Sequence, residues 1–267
     1  MVKLKFDPLF KKGVPRYLLG TYRLNIPNKN NRQIKSKFLT FLNWFFIILF
    51  ILTMITSMFL IGQTFYNKLT TKDKNKYMGV VLPSISKDDI KIMAVTKESK
   101  SPIVFIPILL FLPVILIITS LHEFGHYIMC RRHGVEVDNY GIGTINIICI
   151  PLLFYAFVNP KEEQFEKIPK SKYFGIISAG VGMNISFCLI LFIISIIMAI
   201  FGVSFGLSTS ENYFLYLLVL FNLGIGGFNS LPISILDGGL FVKKISRPVY
   251  VVCTSVLVII LGLLVII

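Results

Sequence analysis

The fold of this chain is decided by residues 102–133, PIVFIPILLFLPVILIITSLHEFGHYIMCRRH. The first 20 of these residues carry no charge, and about 20 predominantly apolar residues suffice for a helix to cross a bilayer. The run ends in three ionisable residues, His122, Glu123 and His126. Because ionisable side chains are expensive inside a membrane, such a group indicates a functional site. The stretch therefore predicts a transmembrane helix that carries chemistry near one end.

The three ionisable residues form the pattern H-E-x-x-H. Residues four apart share one face of a helix, so the imidazoles of His122 and His126 can bind one zinc ion. Glu123 lies about 100° further round the turn, where its carboxylate can accept a proton from a water molecule. The chain has 3 histidines, and a chance match to the pattern is expected roughly 10⁻³ times. The pattern predicts one Zn²⁺ per chain, bound by His122 and His126, with Glu123 as the catalytic base.

The composition excludes a water-soluble domain and a disordered chain. Of the 267 residues, 55% are hydrophobic and 15% are charged, against about 25% charged in soluble domains. So much apolar surface has to lie in lipid, and the lipid bilayer is the first expected partner. The net charge of +14 is explained by anionic headgroups and by membrane topology, so no nucleic-acid partner is expected.

Five apolar stretches predict five membrane crossings, at 38–65, 102–121, 173–202, 213–240 and 249–267. Short cytoplasmic segments of membrane proteins carry an excess of Lys and Arg. Of the 27 Lys and Arg residues, 19 lie in the segments that would share one side, 1–37, 130–172 and 243–247. The expected location is therefore the cell membrane, with the N-terminus cytoplasmic and the C-terminus extracytoplasmic.

The expected fold is an all-α polytopic membrane protein with about five transmembrane helices and a small membrane-associated β region after the second helix. The β region, 134–160, is indicated by apolar residues that partly alternate with polar residues or glycine. The expected divisions are a basic cytoplasmic segment 1–37, a transmembrane helix 38–65, an extracytoplasmic loop 66–101, a core 102–242 with three transmembrane helices and the β region, and a cytoplasmic turn with a C-terminal transmembrane helix at 243–267. Segment 1–37 is either an anchor on the membrane surface or a flexible basic tail.

The acidic residues inside the predicted spans point to a third zinc ligand. The acids in those spans are Glu123, in the HEFGH that ends the second span after the uncharged run 102–121, and Asp237. A catalytic zinc commonly has three protein ligands and one open position. His126 and Asp237 each lie shortly before a basic segment, so the predicted topology brings both to the cytoplasmic end of a span. Asp237 is therefore the predicted third ligand.

Two motifs resemble those of the site-2 protease family, intramembrane zinc metalloproteases of peptidase family M50. They are HEFGH at 122–126 and NSLPISILDGG at 229–239, and AGVGMN at 179–184 is similar to a third family element, with Val181 in place of Pro. The resemblance implies that Asp237 binds zinc and that Asn229 contacts the substrate, whereas Asn184 either orients substrate or bridges helices. It also implies that the β region offers an edge to an unwound substrate. Loop 66–101 is too short for a PDZ domain, so the expected form is compact.

The function implied is that of a zinc-dependent metalloendopeptidase, which cleaves transmembrane segments of membrane proteins or peptides near the cytoplasmic face. The expected partner is a membrane-spanning protein or peptide substrate. Two alternatives of another class stay open, a catalytically inactive member that serves as a membrane scaffold and an ion-binding transporter. A prenyl-protein type of membrane protease is disfavoured, because it takes a Glu as third ligand and the 229–239 motif supplies Asp237.

Overall fold

A computed structural model describes residues 3–8, 19–28, 31–70, 80–84, 91–93, 103–147, 150–201 and 213–266. The chain divides into two compact units. The first unit is Met1–Ile51 with Val114–Gly226, and the second is Leu52–Pro113 with Gly227–Ile267.

The described residues are mostly helical, which confirms the predicted all-α class. The helices are α1 Lys37–Thr70, α2 Ile108–His133, α3 Glu162–Lys167, α4 Lys170–Ile200, α5 Tyr213–Asn229, α6 Asp237–Ile245 and α7 Arg247–Ile266. Within the described residues, 4 helices are long and apolar enough to cross a membrane, namely α1, α2, α4 and α7. Helix α5 is apolar but has 17 residues, so the structure gives four such helices where the sequence predicted about five.

The predicted fourth span, 213–240, contains a helix break. Helix α5 ends at Asn229 and helix α6 begins at Asp237. Pro232 lies in the intervening turn, where it has no N–H to donate and disfavours helical geometry in the residue before it. Asn229 and Asp237 therefore lie at two different helix ends.

The surface of α1 is that of a lipid-facing helix. Large apolar side chains recur along its whole length with high exposure, among them Phe38, Phe41, Trp44, Ile48, Leu52, Ile55 and Phe59. A soluble protein does not expose an apolar stripe of this length. The exposed apolar side chains of α1 thus support the assignment to the membrane that the composition indicated.

The first unit contains a four-stranded antiparallel sheet. Its strands are β1 Lys3–Pro8, β2 Leu19–Pro27, β6 Val137–Ile147 and β7 Ile150–Pro160, in the order β1-β2-β6-β7. The hairpin β6-β7 confirms the predicted β region after the second helix. Within segment 1–37, residues 3–8 and 19–27 form β1 and β2, and β2 pairs with β6 from Leu19↔Ile147 to Pro27↔Asn139. The alternation of basic and apolar residues in KLKF, 3–6, is the period-2 pattern of such a strand.

The second unit contains a smaller sheet. Strand β5, Ile103–Pro107, lies between β3, Val80–Ser84, and β4, Lys91–Met93. The predicted loop thus contains two strands, and the predicted second span begins with a third. The sequence IVFI at 103–106 is rich in β-branched and aromatic residues, which favour a strand.

The core of the first unit forms where α1, α2 and α4 meet the start of the β hairpin. Buried residues from these elements contact one another, and they are Phe46, Met129, Cys130, Val135, Val137, Ile176 and Ala179. Helices α2 and α4 approach closely, since a Cβ atom placed on Gly125 would lie 2.3 Å from the Ala179 carbonyl oxygen. Small residues allow this kind of close helix packing in membranes. The packing brings α4 against the face of α2 that carries the two histidines.

Candidate metal centre

His122, Glu123 and His126 converge on one point beside α2. One ligand atom from each of the three residues lies within 4.8 Å of the others, and the Nε2 atoms of His122 and His126 are 3.2 Å apart. Two imidazole nitrogens that bind a tetrahedral zinc at 2.0–2.1 Å lie about 3.3 Å from each other. The separation therefore fits a single zinc ion held by both histidines.

A backbone contact orients the second of these imidazoles. His126 Nδ1 lies 2.8 Å from the carbonyl oxygen of Ile176 on α4, and a carbonyl only accepts hydrogen bonds. Nδ1 must therefore carry the proton and donate it, which leaves a lone pair on Nε2 in the neutral ring. Such a hydrogen bond from the far nitrogen is the usual support of a metal-binding histidine.

Gly180 on α4 leaves the space in front of the two imidazoles open. A Cβ atom at this position would lie 2.4 Å from His126 Nε2 and 2.5 Å from His122 Nε2. Both distances are well inside van der Waals contact, so a side chain here would occupy the place where the two lone pairs converge. The glycine makes the local structure fit a bound ion.

Strand β7 positions Glu123. The backbone N–H of Val158 donates to Glu123 Oε2 at 2.9 Å, and the N–H of Ala156 donates to Thr119 Oγ1 at 3.2 Å. The two donors are two residues apart on the strand, and their acceptors are four residues apart on the helix. Both separations are about 6 Å, so β7 and α2 can make the two hydrogen bonds side by side. At these two positions the edge of β7 bonds the protein's own helix. The expectation that the β region offers an edge to the substrate stays a prediction.

We expect Thr119→Val to loosen this strand. The isosteric change leaves the partly buried Ala156 N–H without its acceptor, and the loss of such a hydrogen bond costs about 0.5–1.5 kcal/mol. Thermal unfolding of the detergent-purified protein measures the loss. Thr64→Val on α1 is the matched control, because the Thr64 hydroxyl donates to the Leu60 carbonyl one turn earlier in its own helix. Equal stability losses in both variants would contradict the assigned role of Thr119.

Asn184 lies one turn after Gly180 on the same helix. Its side chain is fully buried, and within the described part of the chain neither of its amide atoms has a hydrogen-bond partner. A buried amide without partners is costly, so the group is suited to bind a polar group of a ligand. Its predicted role in substrate binding stays a prediction.

Asp237 and Asn229 belong to the second unit, where the turn 230–236 folds against the start of α6. A Cβ on Gly238 would lie 2.0 Å from the Ser230 carbonyl oxygen, and one on Gly239 would lie 2.0 Å from that of Ile233. Both glycines therefore permit the close backbone packing that holds Asp237 at the first position of α6. Its role as third ligand, and that of Asn229 as a substrate contact, stay predictions.

Sequence reasoning missed three contributors to the centre, namely Gly180, the carbonyl of Ile176 and the N–H of Val158. The last two act through the backbone and leave no mark on residue type. Gly180 lies in the quoted AGVGMN element, so the signal for it was present in the sequence.

Comparison with known proteins agrees with this geometry. Residues 110–213, which include the metal-binding pattern, Gly180 and Asn184, match the family model Peptidase family M50. A zinc metalloprotease of Methanocaldococcus jannaschii is 32% identical over 143 residues, which cover 54% of this chain and 34% of that protein. The chain thus spans about a third of the curated relative that it matches. No solved structure matches it. With the histidine pair and Glu123 in place on α2, the chain is similar to peptidase family M50 over the part that carries the candidate metal centre.

Proposed function

We propose that this protein is a zinc-dependent endopeptidase that cleaves membrane-spanning segments within the bilayer. The observation that carries the proposal is the pair of Nε2 atoms 3.2 Å apart, open towards Gly180 and next to Glu123 on an apolar helix. Such a group inside a membrane span is costly without a function. The similarity to peptidase family M50 supports the peptidase chemistry over the scaffold and transporter alternatives.

The residues divide the work between metal binding and proton transfer. His122 and His126 would hold the zinc, which would supply Lewis acidity at the scissile carbonyl and at water. Glu123 accepts a proton from the attacking water and delivers it to the leaving amine. The N–H of Val158 fixes the carboxylate of Glu123 in the orientation needed for both transfers.

The substrate is a segment that unwinds. A transmembrane helix uses its carbonyls in internal hydrogen bonds, so the scissile bond must leave the helix before attack. Weak helix formers such as Gly and Pro near the cleaved bond favour this step. The Lys and Arg distribution supports a cytoplasmic N-terminus and cleavage near the cytoplasmic face.

Asp237 is the proposed third ligand. We expect Asp237→Ala to lower the zinc content of the purified protein well below one ion per chain, because the third ligand of the usual catalytic set is lost. Metal analysis after dialysis against a weak chelator measures it. Asp138→Asn, on the exposed surface of β6, is the control and keeps its zinc. Unchanged zinc content in Asp237→Ala would exclude this residue as a ligand.

The proposed function is tested by comparing membrane proteomes of cells that carry the native protein or Glu123→Gln. We expect single-span segments to accumulate in the variant and to disappear with the native protein. A zinc-loaded native protein whose expression changes no membrane segment would contradict the peptidase proposal and favour a scaffold. Zinc uptake into proteoliposomes would favour the transporter.

A further inference from the structure

A cavity of about 390 Å³ lies beside Glu123, between α2 and the sheet of the first unit. On the helix side it is lined by Ser120, Phe124 and Tyr127, and on the sheet side by Tyr140, Ile142 and Ala156. Among its lining residues Glu123 is the one with a charged side chain. The cavity therefore has a mostly apolar lining and contains Glu123, the proposed catalytic base, at one wall.

The sheet side of the cavity follows from strand register. Tyr140 pairs with Val158 and Ile142 pairs with Ala156 across β6 and β7, so these four side chains share one face of the sheet. The Tyr127 and Tyr140 rings meet edge to face with centroids 5.9 Å apart. This arrangement gives the cavity an aromatic wall, which suits a flat apolar group.

The cavity has room for a large side chain. Its volume is about 390 Å³, and its occupant has to bring a peptide bond close to Glu123 at one wall. Because a transmembrane helix uses its carbonyls in internal hydrogen bonds, the segment that presents this side chain has already unwound.

The cavity opens towards the lipid-facing side of α2. A second, shallower cavity of about 520 Å³ shares Ser120, Phe124 and Ile142 with the first and continues to Leu116 and Ile117. The Ile117 side chain is 39% exposed and that of Phe124 is 51% exposed. An apolar path thus runs from the outer surface of α2 to Glu123.

We propose that this cavity is a specificity pocket that binds a bulky apolar side chain, aromatic or long aliphatic, of the residue next to the scissile bond. The inference rests on the proposed function, because its occupant is the cleaved substrate. Glu123 fixes the reacting peptide at one wall, and a neighbouring side chain then reaches the aromatic wall. A lipid acyl chain is the competing occupant, and the test distinguishes the two.

The test uses a single-span peptide that the purified native protein cleaves, with the residues flanking the cleaved bond changed in turn to Ala, Leu, Phe and Trp. On one side of the bond we expect kcat/KM to be at least about tenfold higher for Phe or Leu than for Ala. Ser120→Phe and Ala156→Phe fill the pocket from two different elements. In both variants kcat/KM for the Phe and Leu peptides should fall to the value that the same variant gives with the Ala peptide, so that the preference is abolished.

Leu109→Phe is the matched control. It adds the same ring to α2 at a side chain that is 76% exposed and lies outside the cavity, so the native preference should persist. Filled variants that keep the native preference would overturn the pocket and leave the proposed function standing. A native protein that cleaves no peptide would overturn both.

A cross-linking measurement covers the case in which a filled variant fails to fold. A benzophenone side chain replaces the flanking residue of the peptide, and the peptide is bound to Glu123→Gln so that it stays intact. Irradiation should link it to residues 120–127 or 140–142. Links confined to other parts of the chain, or to lipid, would overturn the assignment.

Discussion

Glu123→Gln is expected to lower the cleavage rate by about 10²–10⁴-fold while zinc binding is kept. The amide has the shape of the carboxylate and can still accept the hydrogen bond that the Val158 N–H donates to Oε2 at 2.9 Å. The amide cannot accept a proton from water, so proton transfer is lost while the local structure is kept. The measurements are the turnover of a single-span substrate and the zinc content of the same sample.

The matched control for this variant is Glu162→Gln, the same change at an exposed residue of α3. Its cleavage rate should equal that of the native protein. Cleavage by Glu123→Gln at the native rate would remove Glu123 from the mechanism. Loss of zinc together with activity would instead show that Glu123 supports metal binding.

Gly180→Ala is expected to reduce zinc occupancy severely, and cleavage with it. The added Cβ would lie 2.4 Å and 2.5 Å from the two Nε2 atoms, which is the space that a bound ion needs. To relieve this clash, α4 would have to move away from α2. That movement would break the close packing of Gly125 against Ala179. Overpacking of this kind costs about 1–3 kcal/mol or more.

Gly224→Ala provides the control, because a Cβ on Gly224 has no atom within 4 Å. The change is the same helical Gly to Ala replacement, and in open space it is neutral or stabilising by up to about 1 kcal/mol. Metal analysis and thermal unfolding of both variants separate a filled metal site from a weakened fold. Full zinc occupancy in Gly180→Ala would contradict the placement of the ion in front of Gly180.

The local part of the centre was predictable from sequence, whereas its surroundings were not. His122, Glu123 and His126 lie within five residues, and helical periodicity alone places them on adjacent faces. The groups that support them come from distant sequence, since His126 bonds a carbonyl 50 residues away and Glu123 bonds an amide 35 residues away. Backbone donors and acceptors are the same in every residue type, so no sequence pattern marks them.

The same distinction explains the differences in the fold. The apolar runs predicted α1, α4 and α7 because a long hydrophobic helix needs no partner to be recognised. Strand β2 becomes evident only through its pairing with β6, across more than a hundred residues of chain. In the basic N-terminal segment the many charges obscured the period-2 alternation. Membrane topology already explained these Lys and Arg residues, so they did not indicate a strand. Pro232 indicated a helix break before Asp237. The length of the turn, seven residues from 230 to 236, was not evident from the sequence.

We propose that this protein cuts peptide bonds inside the membrane with zinc held by His122 and His126. The most direct test reconstitutes the purified protein with a single-span substrate in proteoliposomes and locates the cut by mass spectrometry. We expect a cut within the membrane-spanning segment that disappears with a zinc chelator, returns with added zinc and is absent in His126→Ala. A substrate that stays intact, a cut confined to its aqueous segments, or cleavage that survives zinc removal would contradict it.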